Sequence, residues 1–333
     1  MSAGPPLAAP LRLAPILKRI RWGGRKLGDR LGKDLGDGDD WAESWEVSDH
    51  GADQSVVVDG PLAGWPLERL VKERNAELFG GHAGREQFPL LVKFLDAADT
   101  LSVQVHPDDA KAKTFDPSEN GKTEAWVIVD AEPGAKLYAG LKPGTDAEAL
   151  RTASEAGTVA DLLHALEVTA GDCVFIPAGT VHAIGAGVLL AEIQQSSDLT
   201  FRLYDWGYVD PEGNPRQIHL DESIACTDFS RGPVDPATPR PLPGPSGGSE
   251  RLVAGDFFVI DRHAAADRFE LKTGDRFRVL MTLAGSATLT GDFADVPLSL
   301  GETVLVPAAC GSVTVVPGGE GVTLLDSYLP DGA

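Results

Sequence analysis

The chain of 333 residues is long enough for one large domain or two ordinary ones, each with a sizeable core. Its 42% hydrophobic and 24% charged content is that of a soluble globular protein, and 50 acidic against 29 basic residues leave a net charge of −21. So negative a surface repels nucleic acid and anionic lipid, so neither is expected as a partner, and any anionic substrate needs a locally basic pocket.

The N-terminal stretch MSAGPPLAAPLRLAPILKRI is basic and partly apolar, but Pro and Arg interrupt it, and no run elsewhere approaches ~18 apolar residues. A cytoplasmic protein is therefore expected. Strand signals then dominate: FPLLVKFLDA (88–97), TLSVQVHP (100–107), TEAWVIVDA (123–131), DCVFIPA (172–178) and VLLAEIQQSS (188–197) are short apolar or alternating runs between turn residues. Two stretches read as helix. PLERLVKERNAELFG (66–80) puts Leu67, Leu70, Val71 and Leu78 on one face with Gly80 as a stop. TDAEALRTASEAGTVADLLHAL (145–166) is broken near Gly157, and Thr145 followed by Glu148 resembles a capping box.

RGPVDPATPRPLPGPSGGSE (231–250) holds six prolines and four glycines and reads as a linker rather than a regular element. Strands resume beyond it in FFVIDRHA, FRVLMTLAG, SATLTGD, ETVLVPA and GVTLLDSYL. The domains expected are a unit over 1–232 with a helical insertion at about 145–166, a linker over 233–249, and an all-strand unit over 250–333. The N-terminal strands, about 12–60, are free to join either unit.

GDCVFIPAGTVH (171–182) and GETVLVPAACGS (301–312) align without a gap at an offset of 130 residues, with His182 facing Ser312. The first copy reads Gly-x5-Pro-x-Gly-x2-His: a strand, a tight turn that needs Pro and Gly, and a His at the head of the next strand. Upstream, LSVQVHPDD places Gln104 and His106 two residues apart, on one face of a strand, and Glu124 heads the strand of GKTEAWVIVD. Two imidazoles, a carboxylate and an amide oxygen suit one zinc ion, with iron or manganese as alternatives. Pro and Gly serve the backbone while the His serves the metal, so only the first copy is expected to be a site. The three cysteines, Cys173, Cys226 and Cys310, are odd in number and widely spaced, and suggest neither a disulfide framework nor a zinc–cysteine site.

With these motifs in order, from RIRWGGRKLG (19–28) and ESWEVSDH (43–50) to EIQQSSDLTFRLYDW (192–206) and NPRQIHLDES (214–223), the sequence resembles a type I mannose-6-phosphate isomerase of the shorter bacterial kind, a zinc-dependent cupin enzyme. The resemblance implies a mainly β bicupin, with the C-terminal third a degenerate cupin barrel. It implies metal ligands at Gln104, His106, Glu124 and His182, an essential Arg202 following Asp198, and a sugar-phosphate pocket lined by Ser102 and Lys122. Ala125 departs from the Cys or larger residue often found after the ligand Glu, and its side chain is expected to point away from the metal. The implied reaction is aldose–ketose isomerisation through an enediol, for which Arg202 and Lys122 would supply positive charge and Asp198 is a candidate base. Plainer readings have Arg202 pairing with Asp198 or Asp205 and Lys122 as a solvated edge charge, and His50 and His219 stand as further residues near the pocket. Rival functions are an isomerase of another sugar or sugar phosphate, a metal-dependent dioxygenase, and a sugar-phosphate-binding cupin without turnover.

Overall fold

The structure is a computed structural model that describes residues 7–243 and 248–332. Residues 1–6 of the basic N-terminal stretch and 244–247 of the expected linker lie outside the described residues. Three large antiparallel sheets are stacked face to face. A five-stranded sheet runs in the order Leu163–Glu167, Lys136–Leu141, His182–Ile184, Val103–Val105, Phe201–Tyr204. A six-stranded sheet runs Cys173–Ile176, Glu124–Ala131, Val188–Gln195, Leu90–Ala97, Trp41–Val47, Ile16–Gly24. The third, ten-stranded, is built chiefly from Ser249–Ala254 through Ser312–Tyr328.

Strand alternation decides what lies between the layers. In the five-stranded sheet Val103, Val105, Ala183, Phe201 and Leu203 face outward, where Leu150, Ala153 and Cys226 of the helices Ala147–Ala156 and Leu220–Cys226 cover them. The intervening Gln104, His182 and Arg202 therefore face inward. In the six-stranded sheet Ala125, Val127, Ala191 and Ile193 pack toward the ten-stranded sheet, against Ile260, Val279, Met281, Leu305 and Leu325. Glu124, Trp126, Glu192 and Gln194 are left facing the five-stranded sheet. Burial of some thirty apolar side chains between the two larger sheets makes this the main core.

The N-terminal strands divide at Pro15. Leu11–Ala14 pairs with Thr303–Val306 in the ten-stranded sheet, while Ile16–Gly24 pairs with Trp41–Val47 in the six-stranded one. The first expected helix forms as Leu67–Glu73 and Asn75–Phe79, broken at Arg74, with Leu67, Leu70, Val71 and Leu78 all buried. Gly80 ends it at φ +57, where a Cβ would meet the Asp275 carbonyl at 2.4 Å.

Three expectations are corrected. The helix Ala147–Ala156 is capped by Asp146, whose carboxylate accepts from the Ala149 N–H, because Asp146 is the extended residue at the boundary; Thr145 instead donates to the Lys142 carbonyl. Beyond Gly157, Leu163–Glu167 is a strand on Lys136–Leu141, not helix: the i,i+3 spacing of Leu163 and Leu166 fits a helix face, but both side chains are buried from an irregular edge strand. Within the linker stretch Arg240–Pro241 pairs with Ser249–Ala254, so part of it is regular after all. Among the described residues no helix is long and apolar enough to cross a membrane.

Candidate active site

Between the five- and six-stranded sheets, His106, Glu124 and His182 converge, with their candidate ligand atoms all within 4.8 Å of one another and each residue at most 1% exposed. His106 directly follows the strand Val103–Val105, and His182 opens the strand His182–Ile184. The turn from Pro177 to Thr180 sets the spacing. Gly179 adopts φ +85, and its N–H donates to the His106 carbonyl at 2.8 Å, so one glycine ties the two histidine segments together. Glu124 comes from the opposite sheet. Its Oε2 lies 3.4 Å from His106 Nε2 and its Oε1 3.3 Å from His182 Nε2.

The protonation of both rings follows from their other nitrogen. His106 Nδ1 lies 3.0 Å from the Leu199 carbonyl, and His182 Nδ1 lies 2.9 Å from the Thr180 carbonyl. A carbonyl only accepts, so each Nδ1 carries the proton and each Nε2 presents a lone pair. Burial, and then the Lys122 ammonium, lower the His106 pKa to about 3, and burial lowers that of His182 too, which keeps both imidazoles neutral. Burial works against the Glu124 charge, but Lys122 and then the two histidines outweigh it and hold the carboxyl below its usual range. His106 Nε2, His182 Nε2 and Glu124 Oε2 are all buried without a hydrogen-bond partner. Two imidazole lone pairs left without a donor beside a carboxylate would be costly in an interior unless a cation were there to receive them. This donor set, with each imidazole oriented by a backbone carbonyl, fits a divalent metal.

A second group of charges flanks the first. Lys122 Nζ lies 3.4 Å from Glu124 Oε2 and 3.9 Å from Glu192 Oε1, while Lys93 Nζ lies 3.3 Å from that same Glu192 oxygen and 3.4 Å from Glu43. Burial opposes the Lys93 charge, but Glu192 and then Glu43 hold it protonated above its ordinary range. Burial pushes Glu192 up to about 7 against the pull of Lys93.

The fold has close counterparts. Residues 11–139 match the family described as phosphomannose isomerase type I, catalytic domain. The chain is 36% identical to the mannose-6-phosphate isomerase of Streptococcus mutans over 301 residues, 90% of this chain and 93% of that one. The chain belongs to the type I phosphomannose isomerase family. Mannose-6-phosphate isomerase ManA of Bacillus subtilis is 35% identical over 91% of this chain and 94% of its own. The crystal structure of the mannose 6-phosphate isomerase from Bacillus subtilis superposes with a TM-score of 0.88 at 29% identity, covering 96% of this chain and all of the other.

As a phosphomannose isomerase the chain gathers most of the residues singled out in its sequence. Gln104 is the cross-strand neighbour of both His182 and Arg202, which puts the three side chains on one face. Arg202 pairs with neither Asp198 nor Asp205: one guanidinium nitrogen donates to the Gln217 carbonyl at 2.9 Å, and its Nε is buried without a partner. Lys122 is 5% exposed, so it is no solvated edge charge. Ser102 is buried just before its strand, and Ala125 packs into the core behind the sheet, away from the triad. Asp198 is exposed, with its N–H 3.3 Å from Glu119. His50 binds that Glu119 at 2.9 Å, and His219 Nδ1 accepts from the Arg202 N–H at 3.1 Å, so both histidines brace segments around the site. Lys93 and Glu192 were missed. The signal for them is a single charge inside each of two otherwise apolar runs, LLVKFL and VLLAEI.

Proposed function

We propose that the chain interconverts mannose 6-phosphate and fructose 6-phosphate through an enediol, in the cytoplasm, as a zinc enzyme with one ion per chain. The observation that carries this reading is the pair of unpartnered imidazole nitrogens facing the Glu124 carboxylate beside the buried Lys122, in a fold that matches mannose-6-phosphate isomerases over nearly its whole length. Two imidazole nitrogens and a carboxylate suit zinc, other divalent metals would use the same donors, and Gln104 is the candidate fourth ligand. When bound, the ion supplies Lewis acidity toward the substrate oxygens.

The chain's own groups handle charge and protons. Lys122 brings an ammonium to within 3.4 Å of the ligand carboxylate and is suited to stabilising oxygen charge as it develops. Arg202, with Nε unpartnered on the inward face, is suited to an anionic substrate, and the Ser102 hydroxyl to hydrogen bonding it. Two carboxyls are candidates for proton transfer. Asp198 lies at the rim, whereas Glu192, at about 7, is poised near neutrality where a general base works best.

Among the described residues, 7–232 make up the catalytic cupin barrel, whose helical insertion is Ala147–Ala156, the linker stretch follows, and 250–332 make up a second cupin-like barrel without a matching ligand set. The fold is thus a bicupin in which the second barrel takes the strand Leu11–Ala14, and beyond it the edge strand Val56–Val57, from the N-terminal part of the chain. The exposed Ser312, standing where the first barrel has the buried His182, supports this reading.

The test is turnover of mannose 6-phosphate before chelation, after it, and with zinc restored, set against free mannose. Activity that vanishes and returns, with mannose a far poorer substrate, is the expected result. A folded, zinc-loaded chain that leaves mannose 6-phosphate unchanged would overturn the substrate assignment.

A further inference from the structure

Three guanidinium groups gather where edge strands of the two facing sheets come together. Arg21 belongs to Ile16–Gly24, the edge of the six-stranded sheet, and Arg202 to Phe201–Tyr204, the edge of the five-stranded one. Arg216 comes from the loop that follows. One buried carboxylate stands among them: Arg216 Nε donates to Asp205 Oδ2 at 2.7 Å, and Arg21 approaches Asp205 Oδ1 at 3.4 Å. Arg21 also reaches the solvent-exposed Asp99 at 3.4 Å. Both Arg21 and Arg216 lie over the Tyr208 ring, 3.8 and 5.5 Å from its centre, and this restrains their planes. The Nε atoms of Arg21 and Arg202 are both buried with no hydrogen-bond partner.

The charges do not balance. Three cations share one buried and one solvated carboxylate, on a chain whose net charge is −21. After burial, repulsion from Arg216 is the main influence lowering the Arg202 pKa, with Arg21 adding to it. An acidic protein that concentrates positive charge beside unpartnered donors presents a binding site for an anion. The cluster also adjoins the metal site, since Arg202 and His182 flank Gln104 on one face of the sheet.

We propose that Arg21 and Arg216, fixed by Asp205 and Tyr208, form with Arg202 the cradle for the substrate's phosphate group. This rests on the mannose 6-phosphate reading above and adds to it two positioning residues that bind the end of the substrate remote from the reacting carbons.

The zinc-loaded full chain is compared with Arg21→Gln and Arg216→Gln in steady-state kinetics, with inorganic phosphate as a competing anion and thermal unfolding as the check on folding. Each variant is expected to raise KM for mannose 6-phosphate ~10- to 100-fold, as for the loss of a charge-assisted hydrogen bond, with kcat within about 3-fold. The inhibition constant of inorganic phosphate should rise by the same factor. Unchanged KM and phosphate inhibition, or a fall in kcat alone, would overturn the cradle and leave the arginines as braces of the loop. Should Arg216→Gln fail to fold through loss of its Asp205 pair, Arg21→Gln decides alone, because its carboxylate contacts are only at 3.4 Å. If the parent chain does not turn over mannose 6-phosphate, the functional reading fails. Calorimetric binding of inorganic phosphate that Arg21→Gln abolishes would still support the cradle, and binding that it leaves intact would overturn it.

Discussion

A buried imidazole whose Nδ1 proton is held by a backbone carbonyl has only one lone pair left to offer, and His106 and His182 offer theirs toward the same carboxylate. Glu124→Gln keeps the volume but removes the anionic donor. Its expected effect is loss of bound metal, read by elemental analysis, with activity down by about 100-fold or more. The protonation states also set how the metal-free protein responds to acid. His106 is held at about 3 and His182 is lowered from the ordinary 6.5, so as pH falls below 6.5 the unfolded chain takes up protons that the native one refuses, and stability falls. Glu192 acts oppositely. With its carboxyl raised to about 7, the native chain keeps a proton that the unfolded one releases above 4.5, so this contribution is lost as pH rises from 4.5 to 7. Two histidines outweigh one carboxyl, so the urea midpoint should decline gently from pH 6.5 to 4.5. Below 4.5 it should decline steeply, where Glu192 is protonated in both states and the lowered Glu124 adds to the loss. Glu192→Gln should steepen the upper segment. The triad was legible in the sequence because its spacing, strand–turn–His and Gln-x-His, is local. The Lys93–Glu192–Lys122 network was not, because cross-strand register assembles it from positions about 30 and 70 residues apart.

At the level of elements, the turn through Gly179 matters more to the site than any helix. Its positive φ is open to glycine at little cost, and a Cβ there would lie 3.1 Å from the Asp228 side chain and 3.2 Å from the Cys226 carbonyl. Gly179→Ala should cost about 1–2 kcal/mol of stability and weaken metal affinity, because the same residue's N–H anchors the His106 carbonyl. Thermal unfolding and metal titration would check both. Strands were legible wherever apolar runs were bounded by turn residues, as in Leu90–Ala97 and Val188–Gln195. The strand Leu163–Glu167 was hidden because Leu163 and Leu166 keep helical spacing, and only the neighbouring Lys136–Leu141 decides against it.

Across the whole molecule, composition pointed to two strand-rich units, and the repeat at 130 residues to their kinship. The exchange of Leu11–Ala14 into the far sheet was beyond both, since a four-residue strand carries no mark of its partner. The ligand set has a wider consequence. Glu124 belongs to one sheet and the two histidines to the other, so a metal held by all three is a rivet through the sandwich, and releasing it requires the two layers to part. Extraction by a chelator should then run at a rate that levels off as chelator concentration rises and climbs steeply with temperature, as an opening of the fold does. A rate that kept rising in proportion to chelator would show instead that the ion is drawn out through the mouth of the site while the layers stay closed.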